Sequence, residues 1–187
     1  KPHKCHKTQI SNRTVFINRT YQDFQTLHLE SFTEMDTVHS SRDSKKTLLT
    51  FFFTKEKLFL TFLMNRCTEG AVRLILDRLE TGANGIQRTS IYYCDPMHSG
   101  QKGGLEQAHT MLRMVLPKGT SFEFLTQWDV NLIVNHINST PRESLGGRTP
   151  YSVVLETLGE EVLNAFQLRP IAPDEVNLTP KLIRFNS

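Results

Sequence analysis

The fold is decided by the stretch Thr47–Met64, which reads TLLTFFFTKEKLFLTFLM. Two runs rich in threonine, phenylalanine and leucine, residues 47–54 and 58–64, are separated only by the polar triplet KEK. This spacing is typical of an antiparallel β-hairpin. The first run is apolar on both faces, as expected for a central strand that is covered on both sides. The sequence therefore predicts a sheet with this hairpin inside it.

The segments around the hairpin predict further strands and helices. Upstream, Glu34 to Val38 forms a short strand candidate. Downstream, Thr68 is placed to cap a helix over residues 71–79, and Thr89 to Cys94 forms another strand candidate. Apolar residues at helical spacing predict three more helices, over residues 105–116, 126–137 and 150–158. This order of elements indicates a mixed α/β fold.

Three regions are expected along the chain: a basic arm over residues 1–30, a core over residues 31–158 and an irregular, proline-containing tail over residues 159–187. The first 20 residues contain five basic and no acidic side chains, although the whole chain has a net charge of only +3. Such an arm suits contact with phosphates, but a solvated linker between domains has the same composition.

The composition is that of a soluble globular protein, with 38% hydrophobic and 22% charged residues. No apolar run approaches the roughly 18 residues of a membrane span. No apolar segment follows the basic residues 1–7, so a signal peptide is not expected. Because the chain begins with Lys rather than Met, we expect the natural N-terminus to lie upstream.

The cysteines favour a reducing compartment. Cys5, Cys67 and Cys94 are odd in number and widely spaced, which argues against a disulfide framework and for the cytoplasm. His3 and His6 flank Cys5, but no paired Cys-x-x-Cys or His-x-x-x-His partner accompanies them. A zinc site in the arm is therefore not expected.

Glu106 begins an amphipathic helix directly behind the segment SGQKGG, residues 99–104. Glycine lacks a Cβ, so the backbone N–H groups of such a loop can approach a phosphate closely. His109, Thr110 and Arg113 share the polar face of this helix with Glu106. A carboxylate in the first turn can also simply complement the positive end of its helix, and spacing alone does not separate the two interpretations.

Three segments carry a more specific pattern: EMDTVHS at residues 34–40, YYCDPMHSGQKGGLEQAHTMLRMVLPKGT at residues 92–120, and LIVNHINSTPRESLGGRTPYSVV at residues 132–154. Together they closely resemble the catalytic core of the DDE transposases and integrases, in particular the insertion-sequence-thirty group of bacterial transposases. The resemblance implies a ribonuclease H-like fold. It also implies an enzyme that cuts DNA strands and joins them to new sites.

In this family, three carboxylates hold two Mg²⁺ or Mn²⁺ ions, which assist attack on a phosphodiester. The resemblance assigns two of the three to Asp36 and Glu106. The position of Asp36 in its strand would equally allow a purely structural role. The resemblance of the flanking residues to the family favours the catalytic role.

The resemblance also implies DNA as the partner, both transposon ends and target, and a homo-oligomer in a synaptic complex. A cytoplasmic, nucleoid-associated protein of bacteria would be expected. Five basic residues are candidates for contacts with the DNA backbone: Lys102, Arg113, Lys118, Arg142 and Arg148. For each of them a solvated surface charge is an equal alternative.

One departure from the family is serious. The second catalytic Asp is expected on a strand after the first helix, yet the helix ending near Glu80 runs almost directly into Thr81-Gly82. Neither Asp77 nor Asp95 lies at the missing place. Three explanations stay open: a segment missing from this sequence, an internal deletion in the gene, or a repurposed, non-catalytic protein. The helix-turn-helix domain of the family is not seen ahead of the arm.

Two other functions compete with transposition. A non-catalytic remnant or domesticated module would bind DNA through the basic arm and the loop 142–148. Another ribonuclease H-like nuclease would hydrolyse DNA without joining strands. With only two of three carboxylates in place, we expect the chain as written to have activity below detection.

Overall fold

The computed structural model describes residues 18–80, 90–95 and 99–183 of the 187-residue chain. The helices and strands in these ranges are α1 Tyr21–Gln25, β1 Thr33–His39, β2 Thr47–Phe53, β3 Leu58–Met64, α2 Glu69–Glu80, α3 Gly103–Val115, α4 Gln127–Asn138, α5 Pro150–Thr157 and α6 Glu160–Ala165. Short 3₁₀ turns cover Ser99–Lys102, Glu143–Leu145 and Pro180–Leu182.

The described strands form one antiparallel sheet in the order β1-β2-β3. The predicted hairpin is confirmed, and β2 is the central strand, with all but its last residue buried. In the register, Asp36 of β1 lies opposite Thr50 of β2, which lies opposite Thr61 of β3. Because side chains alternate along a strand, these three residues point to the same face of the sheet. A polar row therefore crosses a sheet that is otherwise mostly apolar.

Helix α3 packs on the face that carries this polar row. Its buried stripe consists of Leu105, Ala108, Met111, Leu112 and Val115, close to the stripe predicted from the sequence. Phe59 of β3 meets the ring of His109 edge-on, with 6.3 Å between ring centroids. The contact between α3 and the sheet brings the first turn of the helix beside β1.

Helix α4 covers the outer edge of β3 with two side-chain amides. The Phe59 N–H donates to Asn138 Oδ1, and Asn138 Nδ2 donates back to the Phe59 carbonyl. At the other end of α4, Gln127 accepts from the Leu63 N–H and donates to the Thr61 carbonyl. These bonds satisfy backbone groups that an edge strand would otherwise leave open.

The strand predicted over residues 89–94 is wrong for the described part of that segment. Residues 90–95 make one isolated parallel bridge, between Thr20 and Tyr93, and no strand. Tyr92 also packs against Phe24 of α1, whose ring in turn meets Phe32 edge-on. A sequence with strand propensity needs a partner strand along its length, and here the partner is one residue of the segment before α1.

The C-terminal region is more ordered than the irregular tail that the sequence predicted. It contains α6 and a final 3₁₀ turn, and buries Leu163, Leu168 and Ile183 in the core. Side chains of α4 and its C-cap hold this region by accepting backbone N–H groups. Asn135 binds Arg169, Ser139 binds Ile171 and His136 Nδ1 binds Asn177.

Within the described ranges, no helix has both the length and the apolar character required to cross a lipid bilayer. Cys67 and Cys94 are both free thiols. Most of the predicted basic arm, including Cys5, lies outside the described residues.

Candidate functional site

The glycine-containing segment before Glu106 is not an open loop. Ser99–Lys102 is a 3₁₀ turn, and the two glycines that follow lie in the first turn of α3. A Cβ on Gly104 would lie 2.6 Å from Phe52 Cδ1, so no side chain fits there without movement. Gly104 is therefore explained by the close approach of helix and sheet.

The N-terminus of α3 already has an anion in place. Glu34 of β1 is 9% exposed, and its Oε2 accepts the backbone N–H of Leu105 at 2.6 Å. A carboxylate at a helix N-terminus is favourable because it meets unpaired N–H groups and the positive end of the helix dipole. Glu34 thus takes up a position close to the one expected for a phosphate, and no pattern in the sequence indicates this role.

The structure brings Asp36 and Glu106 to the same place. Both line a small cavity of about 30 Å³ together with Lys102, Leu105 and His109. A volume of this size holds a single water molecule or ion. Asp36 reaches the cavity from β1, and Glu106 from the first turn of α3.

Both oxygens of Asp36 have partners. Oδ1 accepts the backbone N–H of Thr37 at 2.8 Å, and Oδ2 lies 3.0 Å from Nζ of Lys102. Lys102 Nζ also donates to the Met35 carbonyl at 3.4 Å. The cation nearest to Asp36 is therefore a side chain of the protein itself.

The carboxylate of Glu106 has different surroundings from that of Asp36. Glu106 is exposed, and within the described ranges its carboxylate makes no hydrogen bond or ion pair. Its backbone carbonyl accepts the hydroxyl of Thr110 one turn later. Glu106 is thus held only by its helix, and its carboxylate is open to a ligand.

His109 lies behind Asp36, and the sequence pattern places it only on the polar face of the helix. Its Nε2 lies 2.9 Å from the hydroxyl of Thr50, and this hydroxyl donates to the Asp36 carbonyl at 3.0 Å. Because a hydroxyl has one proton, Nε2 must be the donor in the His109–Thr50 bond. Burial lowers the pKa of His109, Asp36 acts in the opposite direction, and the nearby Arg113 and Lys102 lower it further. A neutral imidazole therefore supports the strand at Asp36.

The five predicted DNA-contacting residues have different surroundings. Arg142 is only 9% exposed; its guanidinium contacts Met111 Sδ and donates to the Ile137 carbonyl. The charged group thus contacts a side chain of α3 and a carbonyl of α4, and the predicted contact of Arg142 with DNA stays a prediction. Burial also lowers the pKa of Arg142.

The other four residues lie nearer the surface, and one of them, Lys102, is the partner of Asp36. Arg113 closes the end of α3 by donating to the carbonyls of Leu116 and His39. Arg148 forms an ion pair with Glu156. Lys118 follows α3, is exposed and makes no hydrogen bond or ion pair within the described ranges.

The described residues do not provide a third carboxylate at the cavity. Asp95 is exposed and binds the side chain of Gln101, and Asp77 lies on α2. Within residues 18–80, 90–95 and 99–183, no group of three His, Cys, Asp or Glu side chains is arranged to hold a metal ion. The described site thus contains two carboxylates and one lysine.

No family model matches the chain. Among curated proteins, the chain is 32% identical over 78 residues to the transposase for insertion sequence element IS1086 of Cupriavidus metallidurans, which covers 42% of this chain and 22% of that protein. It is 37% identical over 59 residues to the transposase for insertion sequence element IS4351 of Bacteroides fragilis, covering 32% of this chain and 18% of the relative.

The transposase InsI for insertion sequence element IS30A of Escherichia coli is 31% identical over 64 residues, which cover 34% of this chain and 17% of InsI. The matched stretches thus span about a fifth of the length of these relatives. They confirm the resemblance stated from the sequence: the chain is a relative of insertion-sequence transposases, those of the IS30 type included.

Proposed function

We propose that this chain is the catalytic core of a DDE-type transposase with a ribonuclease H-like fold, which cuts and joins DNA strands. One observation carries the proposal: Asp36 and Glu106, far apart in the sequence and on different elements, line the same cavity. A mixed α/β layout with an antiparallel three-stranded sheet is compatible with this fold. The transposase relatives support DNA as the substrate.

The donor chemistry of the site suits Mg²⁺ or Mn²⁺, because both ions prefer hard oxygen ligands such as the carboxylates of Asp36 and Glu106. Asp36 and Glu106 would hold such ions, and the chemistry they would supply is activation of the attacking oxygen and stabilisation of the leaving oxygen of a phosphodiester. The donors fit this chemistry in kind. The site supplies two carboxylate ligands, whereas the family resemblance implies three.

The other residues of the site have roles that follow from their contacts. The Thr37 N–H fixes one oxygen of Asp36, and the His109–Thr50 pair fixes the strand at the Asp36 carbonyl. Fixed ligands favour catalysis because they need no reorganisation when the substrate arrives. Lys102 lines the cavity and offers a cation to a phosphate beside it.

The test is strand transfer by a version of this chain in which the Asp-bearing segment of an IS30-type relative is inserted after Glu80. We expect DNA joining that requires Mg²⁺ or Mn²⁺ and falls to background in the Asp36→Ala and Glu106→Ala variants. Asp95→Asn is the matched control, since this carboxylate binds Gln101 outside the cavity. Retained joining in either alanine variant would refute the assignment of the site. The chain without the insertion is expected to join no detectable DNA.

A second function, non-catalytic DNA binding, is favoured by one observation. Lys102 already neutralises Asp36, and the described residues contribute no third carboxylate. The distinguishing measurement is DNA affinity in the presence of a chelator over a range of salt concentrations. Binding that persists without divalent metal and weakens steeply with salt, with no joining by the extended chain, would favour this function.

A further inference from the structure

Lys102 occupies an unusual position for a residue expected to contact DNA. Its ammonium lies 3.0 Å from Asp36 Oδ2 and 3.4 Å from the Met35 carbonyl, so it is bound by a carboxylate and a backbone oxygen of the same strand. The other Asp36 oxygen is bound to the Thr37 N–H. A cation that approaches Asp36 through Oδ2 therefore meets the ammonium of Lys102 at that oxygen, and the two positive charges repel each other.

The surroundings allow such a displacement. The Lys102 side chain is 20% exposed and that of Asp36 is 43% exposed, so the pair lies at the mouth of the cavity and not in the core. Lys102 is the residue before the first turn of α3, and its side chain makes no capping hydrogen bond to the helix. A lysine side chain is long and flexible, and its charge is not restricted to one geometry.

Two cations compete for one oxygen in this arrangement. A divalent ion bound between Asp36 and Glu106 would take the place of the ammonium at Oδ2 and repel it at short range. A DNA phosphate beside the cavity would offer the displaced ammonium a new partner. Through this ion pair, binding of a metal at Asp36 would favour binding of a phosphate by Lys102, and binding of the phosphate would favour binding of the metal.

We propose that Lys102 is an internal counter-ion of Asp36 that competes with the divalent metal and is drawn away by a DNA phosphate. The consequence is that metal and DNA bind cooperatively, each raising the affinity for the other by the same factor. This inference rests on the proposed function, because it takes Asp36 as a metal ligand. It adds a reason why DNA would be needed before the site is fully loaded.

The first test is a Mn²⁺ titration followed by electron paramagnetic resonance, with the full chain and with its Lys102→Gln variant. Without DNA, the variant is expected to bind Mn²⁺ about two- to fivefold more tightly, the range expected for losing one partly exposed ion pair. A short DNA duplex should raise the Mn²⁺ affinity of the unmodified chain and have little effect on the variant. Lys55→Gln is the matched control, since it removes the same charge from an exposed lysine that does not contact Asp36 and is not among the predicted DNA contacts.

Equal or weaker Mn²⁺ binding by the Lys102→Gln variant would overturn the inference and leave the proposed function standing. Binding that is unchanged in Asp36→Asn would refute Asp36 as a ligand, and with it both proposals. A circular dichroism spectrum of each variant verifies that the total helix content is unchanged.

A second measurement reports on the ion pair itself. Amine-selective labelling, analysed by mass spectrometry, should modify Lys102 slowly in the unmodified chain and faster in Asp36→Asn. Addition of Mn²⁺ to the unmodified chain should also accelerate the labelling of Lys102, while the labelling of Lys118 stays constant. No acceleration at Lys102 in either experiment would contradict the proposed competition.

Discussion

At the scale of single residues, the site is organised by side chains that serve the fold and the cavity together. Glu34 and Asp36 point to the same face of β1, yet Glu34 accepts the Leu105 N–H in the first turn of α3 and Asp36 meets Lys102. The alternation of the strand places both acids beside the helix. Glu34 is buried and Asp36 is at the cavity, so the two carboxylates have different chemical environments.

Gly104 offers a sharp test of this packing. Gly104→Ala should destabilise the protein by about 1–3 kcal/mol, because the new methyl group overlaps the ring of Phe52. Gly103→Ala is the matched control: its Cβ would meet nothing within 4 Å, and alanine favours the helix. Urea denaturation of both variants measures the free energies of unfolding. Equal stability of the two variants would contradict the described contact between α3 and the sheet.

At the scale of elements, α4 organises two parts of the molecule. One side supplies amides to the open edge of β3, and the other accepts backbone N–H groups from the C-terminal region. The polar residues of an amphipathic helix are expected to face solvent. The buried Asn135, His136 and Asn138 of α4 are instead partners for backbone groups of other segments.

The β3 edge predicts unequal effects of two similar substitutions. Asn138→Ala should cost about 2–4 kcal/mol, because both backbone groups of Phe59 lose their partner in a buried position. Gln127→Ala removes the same kind of amide from the exposed end of the helix, where water can replace it, and should cost clearly less. Thermal or urea unfolding measures both. A larger loss for Gln127→Ala would refute this account of the edge.

The C-terminal region predicts a pH dependence of stability. Burial lowers the pKa of His136, an effect that Glu175 partly opposes, and its Nδ1 must be unprotonated to accept the Asn177 N–H. The unfolded chain therefore takes up a proton more readily as the pH falls below about 6.5. Stability is full above that pH and decreases as the pH falls towards the folded-state pKa.

The measurement is urea unfolding between pH 5 and pH 8. His136→Gln should be less stable at pH 8 and should reduce the pH dependence, whereas substitution of the exposed His39 by Gln should leave it in place. An unchanged pH profile in His136→Gln would show that this histidine does not cause the pH dependence of stability.

At the scale of the whole molecule, local patterns predicted most of the architecture. The hairpin, β1 and the helices α2 to α5 follow from apolar periodicity and capping residues, which act over a few positions. The same patterns predict a strand over residues 89–94. This prediction is wrong for the described residues 90–94, because a strand also needs a partner along its length. The short helix α6 was missed, since six residues give a weak periodic signal.

The candidate site was predictable only in part. Asp36 and Glu106 were named from the resemblance, and the structure brings them to one cavity. Glu34, the Lys102–Asp36 pair and the burial of Arg142 depend on contacts between residues distant in the sequence, for which spacing gives no signal. Long-range contacts of this kind are set by how α3 is seated on the sheet.

Asp36 and Glu106 are proposed to form together a site for a divalent metal in a DNA strand-transferring enzyme. The most direct test of this proposal is calorimetric titration of Mn²⁺ into the purified chain and into three single variants, Asp36→Asn, Glu106→Gln and Asp95→Asn. We expect weak, stoichiometric binding of Mn²⁺ that is lost in Asp36→Asn and Glu106→Gln and retained in Asp95→Asn. Binding of equal strength in Asp36→Asn or Glu106→Gln would contradict the proposal.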